Sequence, residues 1–311
     1  MSLTTPINAT SNQQEFTVVK RLSKARFPVY LAKSTTSEKS FALKVYPFEE
    51  GKVSKFFLNE CHFIDLNHPN IITIYQTQKE KNSVSKGKQS KISYILMEYA
   101  PYGDFYDLII TKRIQFDEKL VRTYFHQLIQ GLEYLHSRNV YHLDIKPDNL
   151  LLGADFKLKI ADFDTSYRGG DSPIRSKGTR NYRAPEVKQQ RVVNPPAADI
   201  YSAGICLFVF KTDCFAYLEN EPVDGYDLSE LMYRGDPTFW EAHKQILKDR
   251  VNFSQELKDL FMSMVRFEPE ARVTIPQIKR SQWYKGSIYS DKELAKKVSK
   301  LLTDAGVLEQ N

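Results

Sequence analysis

The chain has 311 residues, 41% of them hydrophobic and 26% charged, with a net charge of +6. That length suits one large domain or two lobes sharing an interface, and the modest charge is spread along the chain, which argues against nucleic acid as a partner. No apolar run approaches the ~20 residues of a membrane span, and Cys61, Cys206 and Cys214, odd in number and without paired spacing, argue for reduced thiols in the cytoplasm and against a zinc site. Residues 1–15 read as a flexible arm, polar and without the apolar core of a signal peptide, with Ser2 where myristoylation needs glycine. From Phe16 to Glu98 the runs EFTVVKRL, PVYLAK, SFALKVY, IITIYQ and ISYILME are short, alternating or β-rich, and predict strands. A helix is expected at about Val53 to Leu66, and the basic stretch Lys79 to Lys91 reads as a solvated hairpin loop. Met97 to Asp104 (MEYAPYGD) connects this lobe, 16–98, to a helical one, 99–286. There Leu120, Val121, Tyr124, Phe125, Leu128, Ile129, Leu132 and Leu135 make one wide apolar stripe, and further helices are expected from Asp199 to about Lys211, from Ser254 to Val265 and near the C-terminus. A cleft between lobes is a usual place for a ligand.

The stretch VYHLDIKPDNLLL, Val140 to Leu152, follows the striped helix and crowds His142, Asp144, Lys146, Asp148 and Asn149 around Pro147. A loop that only turns the chain needs Gly, Asn or Pro, not a lysine held between acids. Thirteen residues after Asn149 comes Asp162, in ADFDTSY, behind the short strand FKLKI. In FALKVY, strand alternation puts Ala42 and Lys44 on one side and Leu43 and Val45 on the other. KGTRNYRAPEV, Lys177 to Val187, then ADIYSAG and RFEPEARVT, complete the series.

In this order, over roughly Phe16 to Gly286, the motifs resemble those of a eukaryotic protein kinase of the serine/threonine type. FWEAHK and IKRSQWYKG look most like the calcium/calmodulin-dependent group. The implied fold is α+β and bilobal, with a small β-rich lobe carrying one helix and a larger, mainly helical lobe. The implied cofactors are ATP and Mg²⁺, because a transferring phosphoryl group carries dense negative charge that must be neutralised. By resemblance, Asp144 accepts the substrate hydroxyl's proton, Lys146 reaches the γ-phosphate, and Asn149 and Asp162 hold the metal. Lys44 meets the α- and β-phosphates. Leu22, Val29, Ala42, Glu98, Ala100, Asp104 and Leu151 complete the nucleotide set. Thr179 stands where serine/threonine kinases carry a threonine touching the catalytic aspartate and lysine. Glu186 would pair with Arg272, and Asp199 would accept hydrogen bonds from the catalytic-loop backbone. The family's usual spacing places the acid that partners Lys44 at Asn59, but Glu60 has Phe56, Phe57, Phe63 and Ile64 as helical neighbours. A charge on that buried face needs a partner, so Glu60 is the choice.

The chain departs from the family in three places. RLSKARFPVYLAK, Arg21 to Lys33, has no glycine where the glycine-rich loop should lie, with Ser23, Ala25 and Pro28 near the glycine positions. The Asp-Phe-Gly motif is Asp162-Phe163-Asp164, which replaces a residue tolerant of unusual backbone angles. Leu143 precedes the catalytic aspartate where many members carry arginine, so Thr165, Ser166, Ser172 and Ser176 need not be phosphorylated. The resemblance implies transfer of the ATP γ-phosphate to protein hydroxyls. A pseudokinase or scaffold, and a phosphotransferase acting on other substrates, are the alternatives. Asp104 and Asp148 would favour protein substrates with Arg upstream of the phosphoacceptor. In the tail, 287–311, Ser290 and Glu293 have capping-box spacing, Leu294, Val298, Leu301, Leu302 and Ala305 form a stripe, and Gly306 is the stop. With Lys292, Lys296, Lys297 and Lys300 this helix is basic, and two readings stand: a calmodulin-type regulatory target or autoinhibitory segment, or a helix docked on the larger lobe.

Overall fold

Strand alternation near the N-terminus yields a sheet, and the longer apolar stripes that follow yield helices. The computed structural model describes residues 15–23, 26–48, 50–85, 88–169, 179–189, 194–219, 221–223 and 225–308. The chain forms two compact units, Met1–Pro101 with Ala161–Thr165, and Tyr102–Ile160 with Ser166–Asn311.

In the first unit β1 (Phe16–Arg21), β2 (Val29–Ser34), β3 (Ser40–Pro47), β4 (Ile74–Ser85) and β5 (Lys88–Glu98) make an antiparallel sheet in the order β1-β2-β3-β5-β4. Phe41, Leu43 and Val45 of β3 enter a core with Phe16, Tyr30, Ala32, Tyr94 and Leu96. Period two leaves Ala42 and Lys44 on the opposite face. The stretch expected as a solvated loop is mostly strand: Asn82 pairs with Lys91 and Ser85 with Lys88. Ladder hydrogen bonds need no apolar side chain, and charges are usual on an edge strand such as β4. The helix, α1 (Lys55–Cys61), is shorter than expected, and turns follow it through Asp65. Asp65, Asn67 and Pro69, all turn formers, stop it, and Ile64 ends up exposed.

The second unit is built on two long helices. α2 (Glu118–Ser137) is capped by Asp117, whose carboxylate accepts from the Leu120 N–H at 2.8 Å, and its apolar stripe is buried throughout. Between α2 and the next helices lie two short antiparallel pairs. β6 (Val140–Tyr141) pairs with β9 (Tyr167–Arg168), and β7 (Leu150–Leu152) pairs with β8 (Leu158–Ile160). α3 (Pro185–Lys188) precedes α4 (Pro195–Thr212), which starts before the expected Asp199 because Asn194 caps it and prolines occupy its first turn. α4 is buried on nearly every face, as an apolar helix at the centre of a domain must be. A Cβ at Gly204 would meet Met264 Cβ at 3.0 Å, so glycine lets α4 approach α7 (Gln255–Met264) closely. α5 (Leu228–Arg234), α6 (Thr238–Ile246) and α8 (Ile275–Arg280) surround this pair. Arg272 and Glu186 form a buried, two-pronged ion pair at 2.6 and 2.7 Å.

The tail helix α9 (Asp291–Asp304) begins with both halves of a capping box between Ser290 and Glu293. Leu294, Val298 and Leu302 are buried, Leu301 is half-buried and Ala305 is exposed. Ion pairs tie the helix to its own unit: Lys297 with Asp117 at 2.7 Å, Lys157 with Asp291 at 2.6 Å and Lys119 with Glu293 at 3.5 Å. No described helix is long and apolar enough to cross a membrane.

Candidate active site

In the second unit the loop between β6 and β7 carries a group of hydrogen-bonded polar side chains. Asp199, fully buried on α4, accepts the backbone N–H of His142 at 2.9 Å and of Leu143 at 2.8 Å. His136 Nε2 lies 3.0 Å from the same carboxylate. Leu143 has φ +62°, a region that costs a branched residue about 1–2 kcal/mol. Its bond to Asp199 holds it there. The Asp144 carboxylate comes next. Its Oδ2 stands 2.9 Å from Lys146 Nζ, and its Oδ1 accepts both the N–H and the hydroxyl of Thr179 at 3.0 Å. Lys146 Nζ also donates to Thr179 Oγ1 at 2.6 Å. Asn149 Nδ2 donates to the Asp144 carbonyl at 2.9 Å and to its carboxylate at 3.2 Å, so the amide oxygen of Asn149 faces elsewhere. These four side chains therefore form one hydrogen-bonded set in which Asp144 is fixed in orientation by three neighbours.

Two further acids of this unit feel each other. Burial pushes the Asp104 carboxyl above the usual carboxylate range, against the N–H of Asp107, and the charge of Asp148 adds to the rise. Asp148 is likewise raised by burial, opposed by Lys146. A cationic ligand would relieve both. Leu151, half-buried, pairs with Asp104 through a β-bridge.

In the first unit Lys44 is buried among carboxylates. Its Nζ lies 2.8 Å from Glu60 Oε2, 2.5 Å from Asp162 Oδ1 and 3.6 Å from Asp164 Oδ2. Burial disfavours the ammonium, but Asp162, Glu60 and their neighbours outweigh it and hold its pKa well above the usual lysine value. Asn59 and Glu60 do different things. Glu60 meets Lys44, while the Asn59 amide donates to the carbonyls of Phe163 at 3.4 Å and Asp164 at 3.1 Å. The expected backbone penalty at position 164 is absent: Asp164 keeps an ordinary φ, and Asp162 itself takes φ +69°. Aspartate is among the residues that tolerate that region best.

Of the residues assigned to the nucleotide, Val29 and Ala42 lie on adjacent strands, Val29 opposite Lys44 and Ala42 opposite Leu31. Leu22 is exposed; its N–H and that of Ser23 both donate to the Val29 carbonyl, at 2.8 and 3.2 Å. Ala25 lies outside the described residues. Beyond it Phe27 turns inward against Tyr46 at 4.5 Å, with the Arg26 guanidinium over the Phe27 and Phe56 rings at 5.0 and 4.6 Å. Glu98 ends β5 and its carboxylate accepts from the Thr73 N–H at 3.3 Å, and Ala100 follows, half-buried. Ser166 is buried with its hydroxyl on the His142 carbonyl, whereas Ser172 and Ser176 lie outside the described residues. Sequence reasoning missed Tyr46, whose hydroxyl donates to Glu60 Oε2, and the carboxylate of Asp164. The signal for Tyr46 was available, since it lies two residues from Lys44 on the same face of a strand.

The family model of the protein kinase domain matches residues 26–284. Similar curated proteins include CBL-interacting protein kinase 26 of Oryza sativa subsp. japonica, 33% identical over 284 residues that cover 88% of this chain and 52% of the relative. CBL-interacting protein kinase 11 of the same organism is 32% identical over 286 residues, covering 87% and 51%. CBL-interacting serine/threonine-protein kinase 26 of Arabidopsis thaliana is 30% identical over 301 residues, covering 90% and 62%. The chain thus spans about half to three fifths of the length of these relatives.

Proposed function

The chain belongs to the protein kinase family, and on that premise we propose that it transfers the γ-phosphate of ATP to serine and threonine hydroxyls of proteins. The observation that carries this reading is the Asp144, Lys146, Asn149 and Thr179 set, in which the carboxylate is already oriented by two donors besides its lysine. In the proposed reaction Asp144 accepts the proton of the attacking hydroxyl, and Lys146 offers its charge to the γ-phosphate. Thr179, bonded to both, bridges the acid and the lysine and fixes their relative orientation. Lys44, on the α- and β-phosphates, is kept cationic by Asp162 and Glu60. Asn149 and Asp162 offer an amide oxygen and a carboxylate, hard donors that suit Mg²⁺, and the ion when bound supplies charge neutralisation at the phosphates. Leu22, Val29, Ala42, Glu98, Ala100, Asp104 and Leu151 are proposed to hold the nucleotide.

We further propose protein substrates with Arg upstream of the phosphoacceptor, supported by the raised carboxyls of Asp104 and Asp148. An intracellular setting is supported by the free thiols Cys61, Cys206 and Cys214. The relatives' names carry an interaction with CBL, and for this chain we propose a protein partner of regulatory kind. One observation favours the pseudokinase or scaffold reading: no glycine lies in Arg21 to Lys33, and Phe27 folds inward from that segment. Transfer of labelled γ-phosphate from ATP to a mixed peptide library with Mg²⁺ decides between them. Activity in the wild type that is lost in Asp144→Asn supports the kinase; nucleotide binding without transfer supports the scaffold.

A further inference from the structure

Tyr46 lies two residues beyond Lys44 on β3, on the same face of the strand. It is completely buried, its ring packed against Phe27 at 4.5 Å and against Phe57 of α1 at 5.6 Å. Its hydroxyl donates to Glu60 Oε2, the oxygen that also takes Lys44 Nζ. The ammonium lies 5.3 Å from the centre of the Tyr46 ring. The other carboxylate oxygen of Glu60 accepts the Phe163 N–H at 3.4 Å.

α1 needs such help. It has seven residues and no side-chain cap at its N-terminus, too short to be stable by itself. A glutamate reaching from so short a helix has three rotatable bonds, and on its Oε2 a lysine on a flexible stem, with only a long bond from the Phe163 N–H on Oε1, leaves it several geometries. A second donor on Oε2, carried by a rigid ring locked by Phe27 and Phe57, selects one of them. We propose that Tyr46 is a positioning residue, whose phenol holds the Glu60 carboxylate on Lys44 and so keeps α1 seated on the sheet without help from a modified activation segment. The catalytic consequence rests on the kinase reading above; the clamp itself does not.

Four proteins test it: wild type, Tyr46→Phe, Glu60→Ala and the double variant. Tyr46→Phe removes one oxygen and conserves the ring. With dephosphorylated protein and Mg-ATP, Tyr46→Phe is expected to lower kcat on the order of tenfold, the size of one lost bond to a charged group, with KM for the peptide unchanged. In the Glu60→Ala background the same substitution is expected to lower kcat no further. An equal fall in both backgrounds, or none in either, would overturn the proposal, since a ring that only fills the core acts regardless of Glu60. Hydrogen exchange at the α1 amides separates this from a failure of the kinase reading. Faster exchange in each single variant, with no more in the double, keeps the clamp even if the wild type transfers no phosphate. Unchanged exchange in Tyr46→Phe ends it even if the wild type is an active kinase.

Discussion

Acid should weaken the second unit through one imidazole. His243 on α6 is fully buried beside Phe208 and Phe239, each 4.6 Å away between ring centres. Its Nε2 lies 2.9 Å from the Ala216 carbonyl, so that nitrogen carries the proton, and its Nδ1 is buried with no hydrogen-bond partner among the described residues. Burial therefore holds the imidazole down at about 4, against a smaller upward pull from the Ala216 carbonyl. The unfolded chain takes up a proton near pH 6.5, whereas the folded protein resists until about pH 4. The unfolded state thus binds more protons in that window, and stability falls as the pH drops through it. At about 1.4 kcal/mol per tenfold change in proton affinity, the full window is worth about 3 kcal/mol. Roughly 2 kcal/mol of this should be lost between about pH 7 and 4.5. Both tryptophans, Trp240 and Trp283, lie in this unit, so urea unfolding followed by tryptophan fluorescence reports on it. His243→Gln keeps a donor for Ala216 and cannot be protonated. The wild type is expected to lose about 2 kcal/mol more than this variant over the interval. Equal losses, or an NMR titration of His243 near pH 6.5, would refute the reasoning.

Four other outcomes are expected. Leu294→Ala, which opens a hole under α9, should destabilise the protein by about 2–5 kcal/mol in denaturant titration without raising phosphotransfer, as a docked rather than an autoinhibitory tail requires. Peptides with Ala in place of the upstream Arg should show kcat/KM lower on the order of tenfold, from lost charge-assisted bonds to Asp104 and Asp148; equal values would contradict the assignment. ATP should bind in calorimetry with Mg²⁺ and hardly at all in EDTA, because the segment from Arg21 to Lys33 offers no glycine for close backbone approach to the phosphates. Phosphatase-treated protein should retain its activity, because Leu143 leaves no arginine for a phosphorylated activation segment to neutralise and Ser166 is buried; restoration only by rephosphorylation would contradict this.

Much of the architecture was legible because it obeys periodicity. Period two placed Lys44 opposite the core face of β3, and the helical stripe of α2 was visible residue by residue. Ser290 and Glu293 announced the start of α9 by their capping-box spacing. That Glu60 rather than Asn59 reaches Lys44 was legible from its apolar helical neighbours, even though one of them, Ile64, proved exposed once the helix ended early. Features set by distant partners were not legible. The positive φ of Asp162 and the ordinary φ of Asp164 depend on where Lys44 and Asn59 stand, more than a hundred residues earlier. The extension of β4 and β5 through a polar stretch depends on backbone pairing, to which side-chain pattern is blind.

The loop from His142 to Asn149 is not a portable module. Its left-handed corner, at Leu143, is a leucine in a backbone region suited to glycine, and what stabilises it is a carboxylate 56 residues further along the chain. Cut out as a peptide, the loop would carry every side chain of the motif and none of its shape. Grafted onto another scaffold, it would need the buried start of α4 to travel with it. Leucine at this corner acts as a lock against drift: a glycine would satisfy the angle in isolation but would equally permit many others, whereas leucine there is tolerable only while Asp199 grips its N–H. The motif's geometry is thus a property inherited from the whole unit and cannot be exchanged piecewise.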